Sequence, residues 1–250
     1  MNKVFANWPK LQQGLSDESQ EIVAFTTTRL SGNSRPPFDD FNLGLHVGDD
    51  PQAVLDNRTE LLNNCALQDA QWLEQVHGIT CIKSARNSLV PVADACWSDE
   101  TELACVVMTA DCLPVAFRQG DKIAVAHAGW RGLLNGVLEN TLCVLDAATT
   151  DIWLGPAIGA QVFEVGAEVR EQFIDHDANS EAAFIPSDNS GKWLADIYQL
   201  AKLRLVAAGV ASQHIYGGDY CTYTDHERFF SYRCNAITGR MATVIYRRKV

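Results

Sequence analysis

The segment from residue 103 to residue 128 constrains the fold more than any other part of the chain. Residues 103–108 form a continuous apolar run, as expected of a strand buried on both faces. Residues 113–117 and 123–126 are two further apolar runs, joined by five polar residues that include Gly120. This spacing predicts a β-hairpin next to a buried strand. We therefore expect a sheet with both faces covered.

Other segments predict a mixture of strands and helices. Asp50 followed by Pro51 is typical of a helix start, with an acidic cap and proline in the first turn. Apolar periodicity predicts strands at residues 21–28, 71–76, 79–84 and 152–154, helices at 132–145, 162–173 and 193–208, and a hairpin formed by 229–233 and 241–246. Because both element types occur throughout, the predicted class is α/β (α+β).

Composition and charge limit the classes of function. A chain of 250 residues with 47% hydrophobic and 20% charged residues is typical of a globular protein. It should bury about 70–75% of its unfolded surface without disulfides, and we expect a single domain over residues 1–250. The net charge of −11 argues against nucleic acid or an anionic membrane as a partner.

The location of the protein can also be predicted. The N-terminal residues contain no apolar signal segment, and no run approaches the ~20 apolar residues that a membrane helix needs. We therefore expect a cytoplasmic protein, in which the 8 cysteines stay reduced. Since no Cys-x-x-Cys pair occurs, neither a zinc ribbon nor a thioredoxin-type site is supported.

Three residues carry donors that suit one metal ion: His77, Cys112 and His127. A two-residue turn at Gln119-Gly120 would pair Cys112 with His127, and paired residues have Cβ atoms about 4.5–5.5 Å apart. Pro114 cannot donate a backbone hydrogen bond, which suggests a sheet edge or a bulge beside the cysteine. Three ligands leave a fourth position open, as in catalytic zinc sites. A buried Cys–His pair can also be simple packing.

Polar residues close to these donors are candidates for substrate contacts. Asp111 precedes Cys112, so its side chain joins the site only if the backbone bends there. Arg131 follows His127 by four residues at a predicted helix start, which suits an anion. Asn42 and His46 lie in a glycine-punctuated polar segment that can line a cleft, and Arg29 is a further anion candidate.

Several longer strings occur in a fixed order that resembles a known family. They are Gln75-Val76-His77-Gly78, Ala110-Asp111-Cys112-Leu113-Pro114-Val115, His127-Ala128-Gly129-Trp130-Arg131-Gly132, Gly155-Pro156-Ala157-Ile158-Gly159 and Phe229-Phe230-Ser231-Tyr232-Arg233. Together they closely resemble the YfiH-like family, also called the laccase-domain, multicopper polyphenol oxidase or peptidoglycan editing factor family. The resemblance covers residues 20–246.

The resemblance implies a fold, a metal and an activity. The fold is a single domain of stacked mixed β-sheets flanked by helices, in αββα-like layers. The metal is zinc, bound by the positions that match His77, Cys112 and His127. The activity is phosphorolysis of adenosine, inosine and S-methyl-5′-thioadenosine, together with deamination of adenosine. The editing-factor name implies a role in removing wrongly built cell-wall precursors.

Four functions remain open from the sequence. The first is a zinc nucleoside enzyme, in which Arg131 and Arg29 are the candidates for binding phosphate and Asp111 or another carboxylate carries a proton. The second is a cysteine hydrolase acting on peptidoglycan precursors, with Cys112 as nucleophile and His127 as base. The third is a copper polyphenol oxidase, although 6 histidines are too few for a multicopper centre. The fourth is a non-catalytic module stabilised by zinc.

Overall fold

The computed structural model describes residues 1–9, 20–87 and 89–249. Its strands are β1 (Lys3–Phe5), β2 (Gln20–Thr27), β3 (Asp69–Gln71), β4 (Cys81–Lys83), β5 (Ala95–Ser98), β6 (Leu103–Thr109), β7 (Leu113–Gln119), β8 (Lys122–Ala128), β9 (Asp151–Leu154), β10 (Glu164–Gly166), β11 (Phe184–Pro186), β12 (Lys192–Ala195), β13 (Ile215–Gly217) and β14 (Met241–Lys249). Its α-helices are α1 (Pro51–Cys65), α2 (Trp130–Asn135), α3 (Val137–Leu142), α4 (Ala167–His176) and α5 (Ile197–Ala207). Short 3-10 turns lie at Ala147–Thr149, Ala178–Ala183 and Ser212–His214.

The strands form two large sheets and one small one. One large sheet has the order β1-β2-β14-β6-β3, and the other has the order β13-β9-β7-β8-β5-β4. The small sheet has the order β10-β12-β11. The predicted mixed α/β class is confirmed. In the residues that the structure describes, none of the helices is both long and apolar enough to cross a membrane.

Alternating side chains explain how the two large sheets stack. Successive residues of a strand face opposite sides of its sheet, and in β6 Cys105 and Val107 pack between the sheets while Val106 packs on the outer face with helix α1. In β7, Ala116 lies between the sheets and Val115 packs towards α3 and α5. The layers therefore follow the order helix, sheet, sheet, helices, which is the predicted αββα-like arrangement.

The hairpin β7–β8 is present, but its register differs from the predicted one. The pairs are Gln119 with Lys122 and Pro114 with His127, so the turn is Gly120-Asp121. Gly120 has a φ of 52°, a left-handed conformation that glycine adopts readily. Cys112 therefore precedes β7 and is not paired with His127. Pro114 is the second residue of an internal strand, not an edge residue, because β7 pairs with both β8 and β9.

Five predicted segments fold differently because long-range pairing overrides local periodicity. Residues 162–173 and 193–208 were each predicted as one helix, yet each begins with a strand of the small sheet, and Asp196 caps α5. Residues 229–233 are not a strand, and β14 pairs with β2 and β6 instead. Of residues 71–76, only Gln71 belongs to a strand, as the last residue of β3, and the strand within residues 79–84 is β4, Cys81–Lys83.

The helix predicted at residues 132–145 is broken into α2 and α3 at Gly136. Gly136 has a φ of 106°, which ends α2, and its backbone carbonyl accepts from Asn140 as α3 begins. A side chain at this conformation is strained, whereas an added Cβ would meet its nearest atoms, Glu139 Oε2 and Arg204 Nη2, at 3.6 and 3.7 Å. The cost of a substitution is therefore in the backbone rather than in packing.

We expect Gly136→Ala to lower the free energy of unfolding by about 1–2 kcal/mol, the cost of a left-handed non-glycine residue. The neighbouring Asn135→Ala, at an exposed helical position, should change it by less than about 0.5 kcal/mol. Urea unfolding followed by circular dichroism measures both. Equal stability of the Gly136→Ala variant and the parent protein would show that the helix break does not depend on glycine.

Candidate metal centre

The ligand atoms of His77, Cys112 and His127 lie within 4.8 Å of one another. Cys112 Sγ is 3.8 Å from His77 Nε2, and the two imidazole rings meet edge to face with centroids 4.8 Å apart. Two imidazoles and one thiol at this spacing can hold a metal ion. The structure therefore brings together the three donors that the sequence predicted.

Backbone bends, rather than hairpin pairing, bring the three donors together. Asp111 has a φ of 85° and His77 a φ of 58°, both in the left-handed region that L-residues rarely adopt. The bend at Asp111 lies where the chain leaves β6 and approaches β7. It places both the Asp111 and the Cys112 side chains on the wall of one cavity. The sequence predicted that the Asp111 side chain joins the site only if the backbone bends at this residue, and the structure contains this bend.

Asp94 holds two of the three donor-bearing segments in place. One carboxylate oxygen, Oδ1, lies 2.8 Å from His127 Nδ1 and accepts from His77 N at 3.0 Å. The other oxygen accepts from Gly78 N at 2.6 Å and from Val76 N at 3.2 Å. With Nδ1 bound to the carboxylate, His127 directs Nε2 at the other donors, and metal-binding histidines are usually oriented in this way.

Two glycines of the 127–132 segment allow the donors to approach. A Cβ on Gly129 would lie 2.8 Å from His77 Cδ2 and 3.1 Å from Cys112 Sγ. A Cβ on Gly132 would lie 2.8 Å from the carbonyl oxygen of Gly78. A larger residue at Gly129 would therefore occupy the space that the His77 and Cys112 side chains use.

Burial differs sharply among the three donors. His127 is buried, Cys112 is half-buried and His77 is exposed. Burial alone would raise the pKa of the Cys112 thiol, but His127 and then His77 outweigh burial and lower this pKa to about 6. Burial alone would lower the pKa of His127, but Cys112 and Asp94 raise it to about 9. The metal-free pair is therefore a thiolate beside an imidazolium at neutral pH.

The donors lie on the wall of a cavity of about 480 Å³, a volume that suits a small organic ligand. The wall combines aromatic and apolar side chains with a few polar and basic ones. The lining residues are His46, Gln75, His77, Met108, Thr109, Ala110, Asp111, Cys112, His127, Trp130, Ile158, Phe163, Ile197, Tyr232, Arg233 and Arg240.

Asp111 lines this cavity, but its carboxylate is already engaged. It accepts hydrogen bonds from Thr222 Oγ1 at 2.6 Å, Ser231 Oγ at 3.1 Å and the backbone N–H of Arg233 at 2.7 Å. These bonds tie the loop that carries Tyr232 and Arg233 to the cavity wall. The carboxylate therefore fixes the position of this loop.

The other predicted substrate residues are divided between the cavity and its surroundings. His46 lines the cavity. Asn42 is fully buried, and its Oδ1 accepts from the backbone N–H groups of Gly44 and Arg240, each at 2.9 Å. Arg29 donates hydrogen bonds to the Asp39 carboxylate and to the carbonyl of His226. Arg131 is exposed and stacks on Trp130, with 4.3 Å between its guanidinium carbon and the ring centroid. Neither arginine is among the lining residues.

Two residues of this site were missed from the sequence. Asp94 lies in the otherwise apolar segment Ala93-Asp94-Ala95-Cys96, and a single acid in such a segment was the available signal. Arg240 directly precedes residues 241–246, the second strand of the predicted hairpin, so a place on a cavity wall was not expected. Only the tertiary structure shows that Arg240 lines the same cavity as His77, Cys112 and His127.

We expect Asp94→Asn to weaken metal binding by about 10–100-fold, the usual cost of changing a carboxylate that orients a ligand. The amide keeps the volume but turns one acceptor oxygen into a donor. Titration against a competing chelator measures the affinity. Asp99→Asn, which removes the charge of a surface acid paired with Lys83 at 2.9 Å, is the matched control. Unchanged affinity in Asp94→Asn would contradict the orienting role.

Known proteins resemble this chain along most of its length. It is 50% identical over 231 residues to the Escherichia coli (strain K12) protein named purine nucleoside phosphorylase YfiH, covering 90% of this chain and 93% of that protein. It is 49% identical over 229 residues to purine nucleoside phosphorylase PA4543 of Pseudomonas aeruginosa, with coverage of 90% and 93%.

Structural and family comparisons agree with these relatives. The crystal structure of Neisseria meningitidis protein NMB0706 superposes with a TM-score of 0.90 at 40% identity, covering 98% of this chain and 99% of that chain. The profile of the family described as multi-copper polyphenol oxidoreductase laccase matches residues 23–248. The chain therefore belongs to this laccase-domain family, to which the YfiH relatives also point and which its motifs predicted.

Proposed function

We propose that this protein is a purine nucleoside phosphorylase whose active site is the cavity beside His77, Cys112 and His127. The observation that carries the proposal is the unequal burial of these donors, since His127 is buried and His77 is exposed. A donor set of this kind leaves one face towards the cavity, whereas structural zinc sites are usually closed by four protein ligands. The names of the relatives supply the reaction class.

The residues present fit a single zinc ion. His77, Cys112 and His127 would hold it, Asp94 would orient His127, and Gly129 leaves the space that the donors need. Bound zinc would supply a Lewis acid at the cavity wall. Thiolate and imidazole also suit copper, so metal analysis decides between the two ions.

A multicopper centre is a poorer fit. In the described part of the chain, His77, Cys112 and His127 form the group of three or more His, Cys, Asp or Glu donors that lie close enough to share a metal ion. A blue-copper site plus a trinuclear cluster needs far more imidazoles than this group contains. Polyphenol oxidation therefore stays a prediction from the family name, without support from the donor set.

Phosphorolysis places definite demands on the cavity. An oxygen of inorganic phosphate forms a bond to C1′ of the ribose while the glycosidic bond between C1′ and the purine nitrogen breaks. The electron pair of that bond leaves with the purine, which takes up one proton. Trp130 and Phe163 offer aromatic faces for the purine. Because the Asp111 carboxylate accepts three hydrogen bonds, we propose it as a positioning residue rather than the predicted proton carrier.

We extend the proposal to three substrates and one second reaction. Adenosine, inosine and S-methyl-5′-thioadenosine share the purine and the C1′ centre, so one cavity can serve all three. In adenosine deamination, water replaces the amino group at purine C6 and ammonia leaves. The open face of the donor set supports this second reaction, because it leaves space for water beside the base.

The direct test is incubation of pure protein with adenosine and phosphate. We expect adenine and ribose 1-phosphate from phosphorolysis, and inosine from deamination. His77→Ala should lower the activity by at least about 100-fold, which is more than the loss expected from changing a residue that only orients a ligand. Because His77 is exposed, its removal should leave the melting temperature of the metal-free protein nearly unchanged, whereas loss of the metal can lower that of the loaded protein. Cys234→Ser, at an exposed thiol outside the cavity, is the control.

Two outcomes would count against this proposal. The absence of adenine, ribose 1-phosphate and inosine would exclude the nucleoside reactions. Full activity of His77→Ala would show that the donor set does not support them.

The second candidate is a cysteine hydrolase that edits peptidoglycan precursors. The observation that favours it is the pairing of Cys112 with His127, whose pKa values of about 6 and about 9 make a thiolate and an imidazolium. Cys112 would attack an amide carbonyl, His127 would protonate the leaving amine, and water would release the acyl group. The same thiolate cannot be both a metal ligand and a free nucleophile.

Alkylation by iodoacetamide distinguishes the two candidates. If Cys112 holds a metal, mass spectrometry should show slow Cys112 modification in the protein as purified and fast modification after chelation. The exposed Cys143 should react at the same rate in both samples. Fast modification of Cys112 without chelation would favour the hydrolase.

A further inference from the structure

A phosphorylase needs a site for phosphate, and the two arginines predicted from the sequence are not available for it. Arg29 donates from Nε to the carbonyl of Asp39 at 2.9 Å, from Nη1 to that of His226 at 3.0 Å, and from Nη2 to the Asp39 carboxylate at 3.2 Å. Arg131 is exposed and stacks on Trp130 outside the cavity lining. Another cationic side chain must therefore bind the phosphate.

Arg240 lies on the cavity wall, and its bonds to the described residues use only one of its three guanidinium nitrogens. Its Nη1 donates to the carbonyls of Thr238 and Gly239 at 3.0 and 2.9 Å. Among the described residues, we find no acceptor for Nε or Nη2. Burial lowers the pKa of Arg240, although Cys112 and Asp111 act against this shift. A half-buried guanidinium with two free donor groups is typical of a site that binds an oxyanion.

The backbone and stem of Arg240 are held firmly. The Oδ1 of Asn42 accepts from the N–H of Arg240 at 2.9 Å and from the N–H of Gly44 at the same distance. Gly44 gives room for the stem, because a Cβ there would lie 2.8 Å from Arg240 Cγ. The same Cβ would lie 3.4 Å from His46 Cε1. His46 and Arg240 therefore lie side by side on one wall of the cavity.

A half-buried arginine, Arg58, fixes the segment that carries His46. Arg58 donates from Nε and Nη2 to the carbonyl of Leu43 at 3.0 and 2.8 Å, and it stacks on Trp72 with 3.7 Å to the ring centroid. The positions of His46 and Arg240 thus depend on residues outside the cavity. Such support is what a pre-organised anion site requires.

The charges around Arg240 favour an anion as its partner. The acidic groups that act on its guanidinium are Cys112, Asp111 and Tyr232. Asp111 already accepts three hydrogen bonds, and Cys112 belongs to the metal-binding donors. Arg233 adds a further positive charge to the lining. With a divalent ion at the donors, this part of the cavity would have a positive net charge.

We propose that Arg240, with His46 beside it, forms the subsite for inorganic phosphate in this cavity. The inference rests on the proposed phosphorylase function, because it assigns the second substrate of that reaction. The guanidinium fork would hold two phosphate oxygens through Nε and Nη2. A third oxygen would remain free to bond to C1′.

The kinetic test uses Arg240→Met in the full-length, metal-loaded protein. We expect the KM for phosphate to rise by about 10–100-fold, the value of a charge-assisted hydrogen bond, and the KM for adenosine to change by less than about twofold. Arg240→Lys should give an intermediate result, since it keeps the charge but loses the fork. Arg35→Met, at an exposed arginine outside the cavity, should match the parent protein.

A binding test separates failure of this inference from failure of the proposed function. Phosphate alone is titrated into each protein and followed by calorimetry, with melting temperature and metal content checked first. Phosphate binding by the parent protein and its loss in Arg240→Met would support the subsite even without turnover. If Arg240→Met does not fold, reduced phosphate binding by Arg240→Lys takes its place.

The contrary results are equally distinct. If Arg240→Met forms ribose 1-phosphate with an unchanged KM for phosphate, the subsite is wrong and the phosphorylase proposal stays intact. Where only Arg240→Lys folds, the same result in that variant leads to the same conclusion. Absence of phosphate binding to the parent protein would also overturn it. No ribose 1-phosphate from the parent protein would defeat the phosphorylase proposal, and phosphate titration would then decide the subsite.

Discussion

The hydrogen bonds of the Asp94 carboxylate are the interaction on which the candidate metal centre depends. It is fully buried and accepts from the backbone N–H groups of Val76, His77 and Gly78 while its Oδ1 lies 2.8 Å from His127 Nδ1. A buried charge of this kind is costly unless it is hydrogen-bonded on every side. Here that requirement fixes His77 and His127, two of the three candidate ligands, relative to each other.

The layered fold explains why the centre lies at one end of the stacked sheets. His127 is near the end of β8, Cys112 lies just before β7, and His77 lies in the connection that leads to β4. Each donor is therefore in a backbone bend or at a strand end, where side chains can turn towards a cavity. The strands behind them are fully buried, which gives the donors a rigid support.

Part of this site could be predicted from the sequence, and the reasons differ from residue to residue. His77, Cys112 and His127 were found because donor side chains beside glycines and turns are a local signal. The order of layers was implied by the resemblance to the YfiH-like family, whereas the apolar runs of β6, β7 and β8 predicted only a sheet with both faces covered. The hairpin register was wrong by one turn position, because the sequence does not show which two residues adopt the turn.

The missed residues depend on contacts between distant parts of the chain. Arg240 reaches the cavity because Asn42, 198 positions earlier, binds its backbone N–H. Residues 193–195 have helical periodicity but pair with strands β10 and β11. Arg131, from its spacing after His127, and Arg29 were predicted as anion ligands, but a ring already contacts Arg131 and a carboxylate contacts Arg29. Local patterns do not reveal such competition.

X-ray absorption spectroscopy of protein purified without added metal tests the central claim most directly. We predict one zinc ion with one sulfur neighbour near 2.3 Å, two imidazole nitrogens near 2.0–2.1 Å and one further light atom. Addition of phosphate or a nucleoside should replace this light atom. A spectrum with two or more sulfur neighbours, with four ligands that no small molecule displaces, or without a bound metal ion would contradict it.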